Sequence, residues 1–207
     1  MKKVLMINGS PHEHGCTDTA LQEIQKKLSE HGIVSDLVWI GTKPVAGCIA
    51  CGRCRETGRC IFNDLVNEIN AKSDDYGALI VGSPVYYAGP SGQVCALLDR
   101  LFYSGSDGFA GKFGAAVVSC RRGGASAAFD RLNKYFTINS MPVVSSQYWN
   151  QVHGFTPEDV RKDLEGLQTM RTLGENLAYL MKQAEAAEAA GVPKPVYEDG
   201  VMTNFIS

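Results

Sequence analysis

The first strongly patterned stretch of the chain is a short apolar run followed by an amphipathic segment. Residues Lys3–Asn8 (KVLMIN) are almost continuously apolar, as in a strand that is buried on both faces of a sheet. Residues 17–31 instead place Leu21, Ile24 and Leu28 at helical spacing. The pattern therefore predicts a strand and then a helix near the N-terminus.

The same alternation continues to about residue 145. Further strands are predicted at 34–40, 78–81, 113–119 and 141–145, and further helices at 64–71, 91–103 and 125–136. Strands that alternate with helices through short connections are typical of a doubly wound α/β sheet, in which right-handed crossovers place helices on both faces. The sequence therefore predicts a five-stranded parallel sheet between two layers of helices.

A longer helical pattern fills the C-terminal part. It begins at Thr156, a suitable N-cap with Pro157 in the first helical position, and Gly191 ends it. We expect one helix over 156–190 and a tail after it, in a single domain that spans 1–207. The distal helix and tail are candidate contacts with a second subunit, with packing of the helix on its own sheet as the alternative.

Composition narrows the class of protein. The 207 residues are 44% hydrophobic and 20% charged, and the net charge of −2 gives no basic field that would attract nucleic acid. No apolar run is long enough to span a membrane, and the N-terminal run is too short for a signal peptide. We therefore expect a cytoplasmic protein with reduced thiols, and the odd total of seven cysteines argues against a disulfide framework.

The loop after the first strand is a candidate anion site. Ser10, Thr17 and Thr19 supply hydroxyls where a helix begins, and His12 adds a donor. Unpaired N–H groups and the helix dipole favour a phosphate at such a position. The loop matches neither the Walker A pattern nor G-x-G-x-x-G, and a plain turn capped by Thr17 is the alternative.

Two later loops follow strands on the same edge of the predicted sheet. The segment SPVYYAGPSG follows the third strand and SCRRGG follows the fourth. In open α/β sheets, ligands bind outside the carboxyl ends of the strands. Tyr86 and Tyr87 offer aromatic surface on which a flat ring could stack, while N–H groups near Gly123 and Gly124 could bond its polar edge. The alternative is that both tyrosines cap the core.

Two segments of the chain together resemble the flavodoxin-like NAD(P)H-dependent FMN reductases: INGSPHEHGCTDTAL and GSPVYYAGPSGQVCALLDR. The resemblance covers roughly residues 1 to 150. The resemblance implies an FMN phosphate held by Ser10, Thr17, Asp18 and Thr19. It also implies an isoalloxazine held by residues 84–87, with SCRRGG as the third flavin loop. Such proteins are commonly dimers or tetramers, which implies a homodimer or homotetramer.

The three loops together give the candidate cofactor-binding residues. They are Ser10, His12, Cys16, Thr17, Asp18, Thr19, Pro84, Val85, Tyr86, Tyr87, Ser119, Arg121, Gly123 and Gly124. Many relatives carry Asn where this chain has Cys16, so the phosphate contact at that position departs from the family. No catalytic residue is named, because flavin chemistry requires no general acid or base from the protein.

Four cysteines, Cys48, Cys51, Cys54 and Cys60, form a C-x2-C-x2-C-x5-C pattern after the second strand. Such tight spacing lets one loop surround an iron–sulfur cluster, whereas structural zinc usually takes two separated C-x2-C pairs. The pattern resembles the cysteine motif of the iron–sulfur flavoproteins, a branch of the same fold family with a [4Fe–4S] cluster beside FMN. The alternative is a thiol-rich active-site loop without iron.

These features lead to three functional hypotheses. The first is an FMN-dependent oxidoreductase that passes electrons from NAD(P)H through flavin to a small-molecule or redox-protein acceptor. The second is an iron–sulfur flavoprotein electron carrier that exchanges electrons with a ferredoxin-like partner through the cluster. The third is a non-catalytic flavodoxin-fold binding module, against which the hydroxyls of the first loop and the SPVYY loop weigh.

Overall fold

The structure is a computed structural model that describes residues 2–206. Its strands are β1 Lys3–Asn8, β2 Ser35–Trp39, β3 Tyr76–Tyr86, β4 Gly89–Pro90, β5 Phe113–Cys120 and β6 Gln151–His153. Its α-helices are α1 Cys16–Glu30, α2 Arg53–Thr57, α3 Leu65–Ala71, α4 Gly92–Gly105, α5 Ala125–Ile138, α6 Pro157–Val160 and α7 Leu164–Ala189. Short 3₁₀ turns lie at Ser73–Asp75 and Ser106–Gly108.

Five strands form a parallel sheet in the order β2-β1-β3-β5-β6, and β4 pairs antiparallel with the end of β3. The apolar run of β1 is explained by its central position. Leu5 and Ile7 face one core, where α3, α4 and α5 cover the sheet, and Val4 and Met6 face the other, beneath α1 and α7. The prediction of a doubly wound parallel α/β sheet is therefore confirmed.

The prediction of a fifth strand at 141–145 is wrong. That segment makes a single bridge, between Val143 and Gly114 at the start of β5. Pro142 lacks an N–H group and cannot continue a ladder. The fully buried Asn150 instead donates to the Ala116 carbonyl at 3.1 Å, which brings the chain back against β5 so that β6 completes the sheet.

The single C-terminal helix predicted over 156–190 is interrupted. Thr156 and Asp159 form a capping box that starts α6, as its sequence suggests, but α6 ends at Val160. The Asp163 carboxylate accepts N–H groups from His153 and from Gly166, at 2.7 and 2.9 Å, so it ties β6 to the start of α7. This cap restarts the helix in a new position.

Beyond α7 the chain has no helix or strand up to residue 206, and its large apolar side chains are exposed. The contact with a second subunit stays a prediction. In the described part of the chain, every helix is too short or too polar to cross a lipid bilayer.

Candidate functional site

Three loops meet at the carboxyl edge of the parallel sheet. The N–H of Gly9 donates to the Gly82 carbonyl at 2.8 Å, which ties the first loop to β3. The Ser91 hydroxyl, which also caps α4, donates to the Gly9 carbonyl at 2.7 Å. The hydroxyls of Thr17 and Ser119 lie 2.8 Å apart and join α1 to β5. The sequence prediction that these loops share one edge is therefore confirmed by their contacts.

The first loop is held in shape by side chains that the sequence analysis did not select. Asn8, which is buried, accepts the N–H of Ser10 at 3.1 Å and donates to the Glu13 carbonyl at 3.0 Å. The indole N–H of Trp39 donates to the Ser10 carbonyl at 2.8 Å. Asn8 ends the first strand within the motif INGSPHEHGCTDTAL but was not chosen as a site residue. Trp39 was assigned only to the second strand, and its distance of 29 residues from Ser10 gives no indication that it meets this loop.

The hydroxyls of the first loop fall into two groups. Ser10 Oγ accepts the His12 N–H at 3.1 Å, so its own proton can point to a ligand. The Thr17–Ser119 pair has two protons and uses one of them between its members. The Thr19 hydroxyl instead donates to the Gly15 carbonyl at 3.1 Å. Ser10 and the Thr17–Ser119 pair are buried, but each keeps one hydroxyl proton beyond these contacts, whereas Thr19 stabilises its own helical turn.

The N-terminus of α1 is open to an anion. Gly15 is its N-cap and supplies no side-chain acceptor for the N–H groups of the first turn. Those groups carry the partial positive charge of the helix dipole. The structure therefore brings backbone donors beside the buried hydroxyls of Ser10 and Thr17.

The remaining candidates around this helix have different surroundings. The Asp18 carboxylate is buried and accepts from Gln22 at 2.7 Å, with a ring nitrogen of His14 at 3.3 Å. Asp18 can therefore serve an anion through its backbone N–H but not through its carboxylate. Cys16 Sγ lies 3.7 Å from the Gly154 carbonyl, and burial raises the pKa of this thiol. The ring of His12 is exposed.

The aromatic loop is a tight hairpin between β3 and β4. Val85 pairs with Pro90 and Tyr86 with Gly89, so the turn contains only Tyr87 and Ala88. Both turn residues adopt positive φ angles, 49° and 59°. Tyr86 is half exposed and Tyr87 fully exposed, which contradicts the alternative that they cap the core. Pro84 lies opposite Ser119 in the pairing of β3 with β5.

The third loop packs directly on this hairpin. Gly124 has a φ of 87°, and a Cβ atom there would come within 2.9 Å of Ala88 Cα and 3.1 Å of Val85 Cγ1. Only glycine accommodates both the left-handed backbone and this close approach. Arg121 and Gly123 are exposed on the outer side of the same loop. The aromatic hairpin and the third loop therefore form one continuous surface.

The cysteine loop surrounds a cavity of about 400 Å³ against α4. Cys48, Cys51, Cys54 and Cys60 all line it, and so does the buried Arg100. Within residues 2–206, no three His, Cys, Asp or Glu side chains stand close enough to hold one metal ion. A [4Fe–4S] cluster has a different requirement, because each thiolate bonds a different iron. Four cysteines around one cavity are the ligand type and number that such a group takes. The short helix α2 within the loop was not predicted.

Residues 2–156 match the family model described as NADPH-dependent FMN reductase. The chain belongs to this family. The match covers all three loops at the sheet edge and also the cysteine loop. Membership makes the protein an FMN-dependent oxidoreductase or electron carrier.

Curated relatives extend the comparison over most of this FMN reductase family member. An iron–sulfur flavoprotein of Methanocaldococcus jannaschii is 34% identical over 189 residues, which cover 87% of this chain and 97% of that protein. An iron–sulfur flavoprotein of Methanosarcina thermophila is 29% identical over 184 residues, which cover 87% and 95%. Both relatives carry the name iron–sulfur flavoprotein.

A solved structure confirms the flavodoxin-like fold of this FMN reductase family member. The flavodoxin, WrbA-like protein from Agrobacterium tumefaciens superposes with a TM-score of 0.60 at 17% identity. The superposition covers 88% of this chain and 97% of that protein.

Proposed function

We propose that the three loops at the sheet edge hold FMN and that the protein passes electrons from NAD(P)H through the flavin to a small-molecule or redox-protein acceptor. One observation carries the proposal. The uncapped start of α1, the Ser10 hydroxyl and the Thr17–Ser119 pair place anion donors together at the edge that also carries the exposed Tyr86–Tyr87 hairpin. That arrangement suits a ligand with a phosphate at one end and a flat ring at the other.

In this proposal each loop has its own role. The first-turn N–H groups of α1 and the hydroxyls of Ser10 and Thr17 bind the phosphate, while Asn8 keeps the loop in shape. Residues 84–87 and the N–H groups of 123–124 would border the flavin ring. The polar atoms of the loops would orient the ring, and the hairpin would exclude water from one of its faces.

FMN, when bound, would accept a hydride from a nicotinamide and pass electrons on to an acceptor. The chain's own contribution is to bind and orient. Arg121 and Arg122 are exposed beside the hairpin, where their charges would attract the phosphates of NAD(P)H or an acidic acceptor. His12, also exposed, would add a donor at the phosphate end.

A second candidate function is favoured by the cysteine loop. All four cysteines line one cavity, and the relatives named iron–sulfur flavoproteins match 87% of the chain. We propose that Cys48, Cys51, Cys54 and Cys60 hold a [4Fe–4S] cluster through which a ferredoxin-like partner exchanges electrons with the flavin. A cytoplasmic location and a homodimer or homotetramer are part of the same proposal; the exposed apolar tail is compatible with the oligomer.

Purification without air should give a yellow-brown protein that contains FMN, iron and acid-labile sulfide. We expect NADH or NADPH to bleach the flavin absorbance. Bleaching by reduced ferredoxin alone would favour the electron carrier over the nicotinamide-dependent enzyme. A protein that binds no FMN when the flavin is added in excess would contradict both functions.

Replacing Tyr86 and Tyr87 together by alanine should weaken FMN binding about tenfold, because stacking and apolar contact with the ring are lost. The measurement is a fluorescence titration of apoprotein with FMN. Tyr179→Ala is the matched control, since Tyr179 is also exposed but lies on α7. Unchanged affinity in the double variant would contradict the stacking role.

A further inference from the structure

Arg100 is the most completely buried charged residue in the described part of the chain, and it lies in α4 beneath the cysteine loop. Its two terminal nitrogens donate to both Asp64 carboxylate oxygens at 2.7 and 2.8 Å. The guanidinium carbon also lies 4.8 Å from the centre of the Phe62 ring. Such a bidentate and stacked arrangement fixes the orientation of the side chain.

One donor of Arg100 is directed at a cysteine. Its Nε–H donates to Cys60 Sγ at 3.1 Å. A terminal nitrogen also donates to the Ala46 carbonyl at 3.3 Å and another to the Phe62 carbonyl at 3.4 Å. Arg100 therefore contacts the chain on both sides of the cysteine loop as well as one of its thiols.

The backbone of Cys60 is held independently. Asn67, a buried residue of α3, accepts the Cys60 N–H at 2.9 Å and donates to the Cys60 carbonyl at 2.9 Å. Cys48 and Cys51 are by contrast exposed. Among the four cysteines, Cys60 is thus fixed by both its backbone and its sulfur.

We propose that Arg100 is a positioning residue that holds Cys60 as the fixed ligand of the cysteine loop and stabilises the negative charge of the group bound there. This inference rests on the proposed iron–sulfur site. A cluster–thiolate centre becomes more negative when it is reduced, so a buried cation and an N–H···S hydrogen bond favour the reduced form. Arg100 therefore raises the reduction potential of the centre and slows the loss of iron.

The test compares Arg100→Lys and Arg100→Met with the parent protein after anaerobic reconstitution. We expect iron loss to a chelator to be about tenfold faster in both variants, the usual scale for groups that orient metal ligands. The midpoint potential of the centre should fall, more in Arg100→Met than in Arg100→Lys, because lysine keeps the positive charge. The potential is measured by a redox titration followed by electron paramagnetic resonance.

Arg131→Met is the matched control. Arg131 also stacks on an aromatic ring, that of Tyr135, and lies 3.9 Å from the Asp99 carboxylate, but it does not line the cavity of the cysteine loop. This variant should keep the parental iron retention and potential. Thermal unfolding and FMN affinity establish that each variant is folded; if Arg100→Met does not fold, Arg100→Lys decides.

Two results would overturn the inference. In the first, folded Arg100 variants keep the parental rate of iron loss and the parental potential. The role of Arg100 is then wrong, but the iron–sulfur proposal itself still stands. In the second, the parent binds FMN but incorporates no iron, and then the cysteine-loop proposal fails as well. Failure to bind FMN would leave the iron measurements able to decide the role of Arg100.

Discussion

Thr17→Val should lower the affinity for FMN by about 10- to 100-fold, whereas Thr19→Val should leave it within about twofold. Hydrogen bonds to charged groups contribute about 1.5–3 kcal/mol, and about 1.4 kcal/mol corresponds to a factor of ten. The Thr17–Ser119 pair keeps a proton that can be donated to a phosphate, but the Thr19 proton is used by the Gly15 carbonyl. Titration of each apoprotein with FMN measures the difference.

The comparison is matched, because both substitutions exchange a hydroxyl for a methyl group within the same helix. Riboflavin, which lacks the phosphate, separates anchoring from general damage. We expect Thr17→Val to bind riboflavin as the parent does. If both variants lost FMN equally, or if Thr17→Val lost riboflavin affinity to the same extent, the phosphate would not lie at this pair. Urea unfolding monitors any loss of stability from the unpaired Ser119 hydroxyl.

The sequence predicted the elements that depend on local pattern. The apolar run of β1 and the spacing of Leu21, Ile24 and Leu28 in α1 reflect burial by the sheet, which any close-packed α/β fold imposes. The fifth strand was misplaced because 141–145 is as apolar as a strand. Pro142 has no N–H group to continue the pairing of this segment. The hydrogen bond from Asn150 to the Ala116 carbonyl instead brings a later segment, β6, against β5.

The site was predicted only as far as its loops carry recognisable residues. Ser10, Tyr86 and Gly124 stand in motifs, so their loops could be assigned to one edge of the sheet. Trp39 contacts the first of these loops across 29 residues of sequence, and Arg100 contacts the cysteine loop across 40. Nothing in their own neighbourhood in the sequence distinguishes them from core residues. Residues that position others through long-range contacts therefore require the structure.

Gly124→Ala should reduce FMN affinity by at least about 30-fold. We expect this to be the largest effect of any substitution that leaves every polar group in place. A left-handed backbone costs a residue with a Cβ about 1–2 kcal/mol. The added methyl would also lie 2.9 Å from Ala88 Cα, and overpacking costs about 1–3 kcal/mol more. Relief of that contact requires the Tyr86–Tyr87 hairpin to move away from the third loop, which would separate the two surfaces that border the flavin.

Gly123→Ala is the control for this substitution. A Cβ atom at Gly123 would meet nothing within 4 Å, and its φ lies outside the left-handed range. Alanine keeps the backbone N–H that is proposed to border the flavin, so we expect the FMN affinity of Gly123→Ala to match the parent. FMN titration and thermal unfolding of both variants distinguish a local displacement from a general loss of stability. Equal FMN affinity in Gly124→Ala, Gly123→Ala and the parent would show that the packing of the third loop on the hairpin does not form the flavin site.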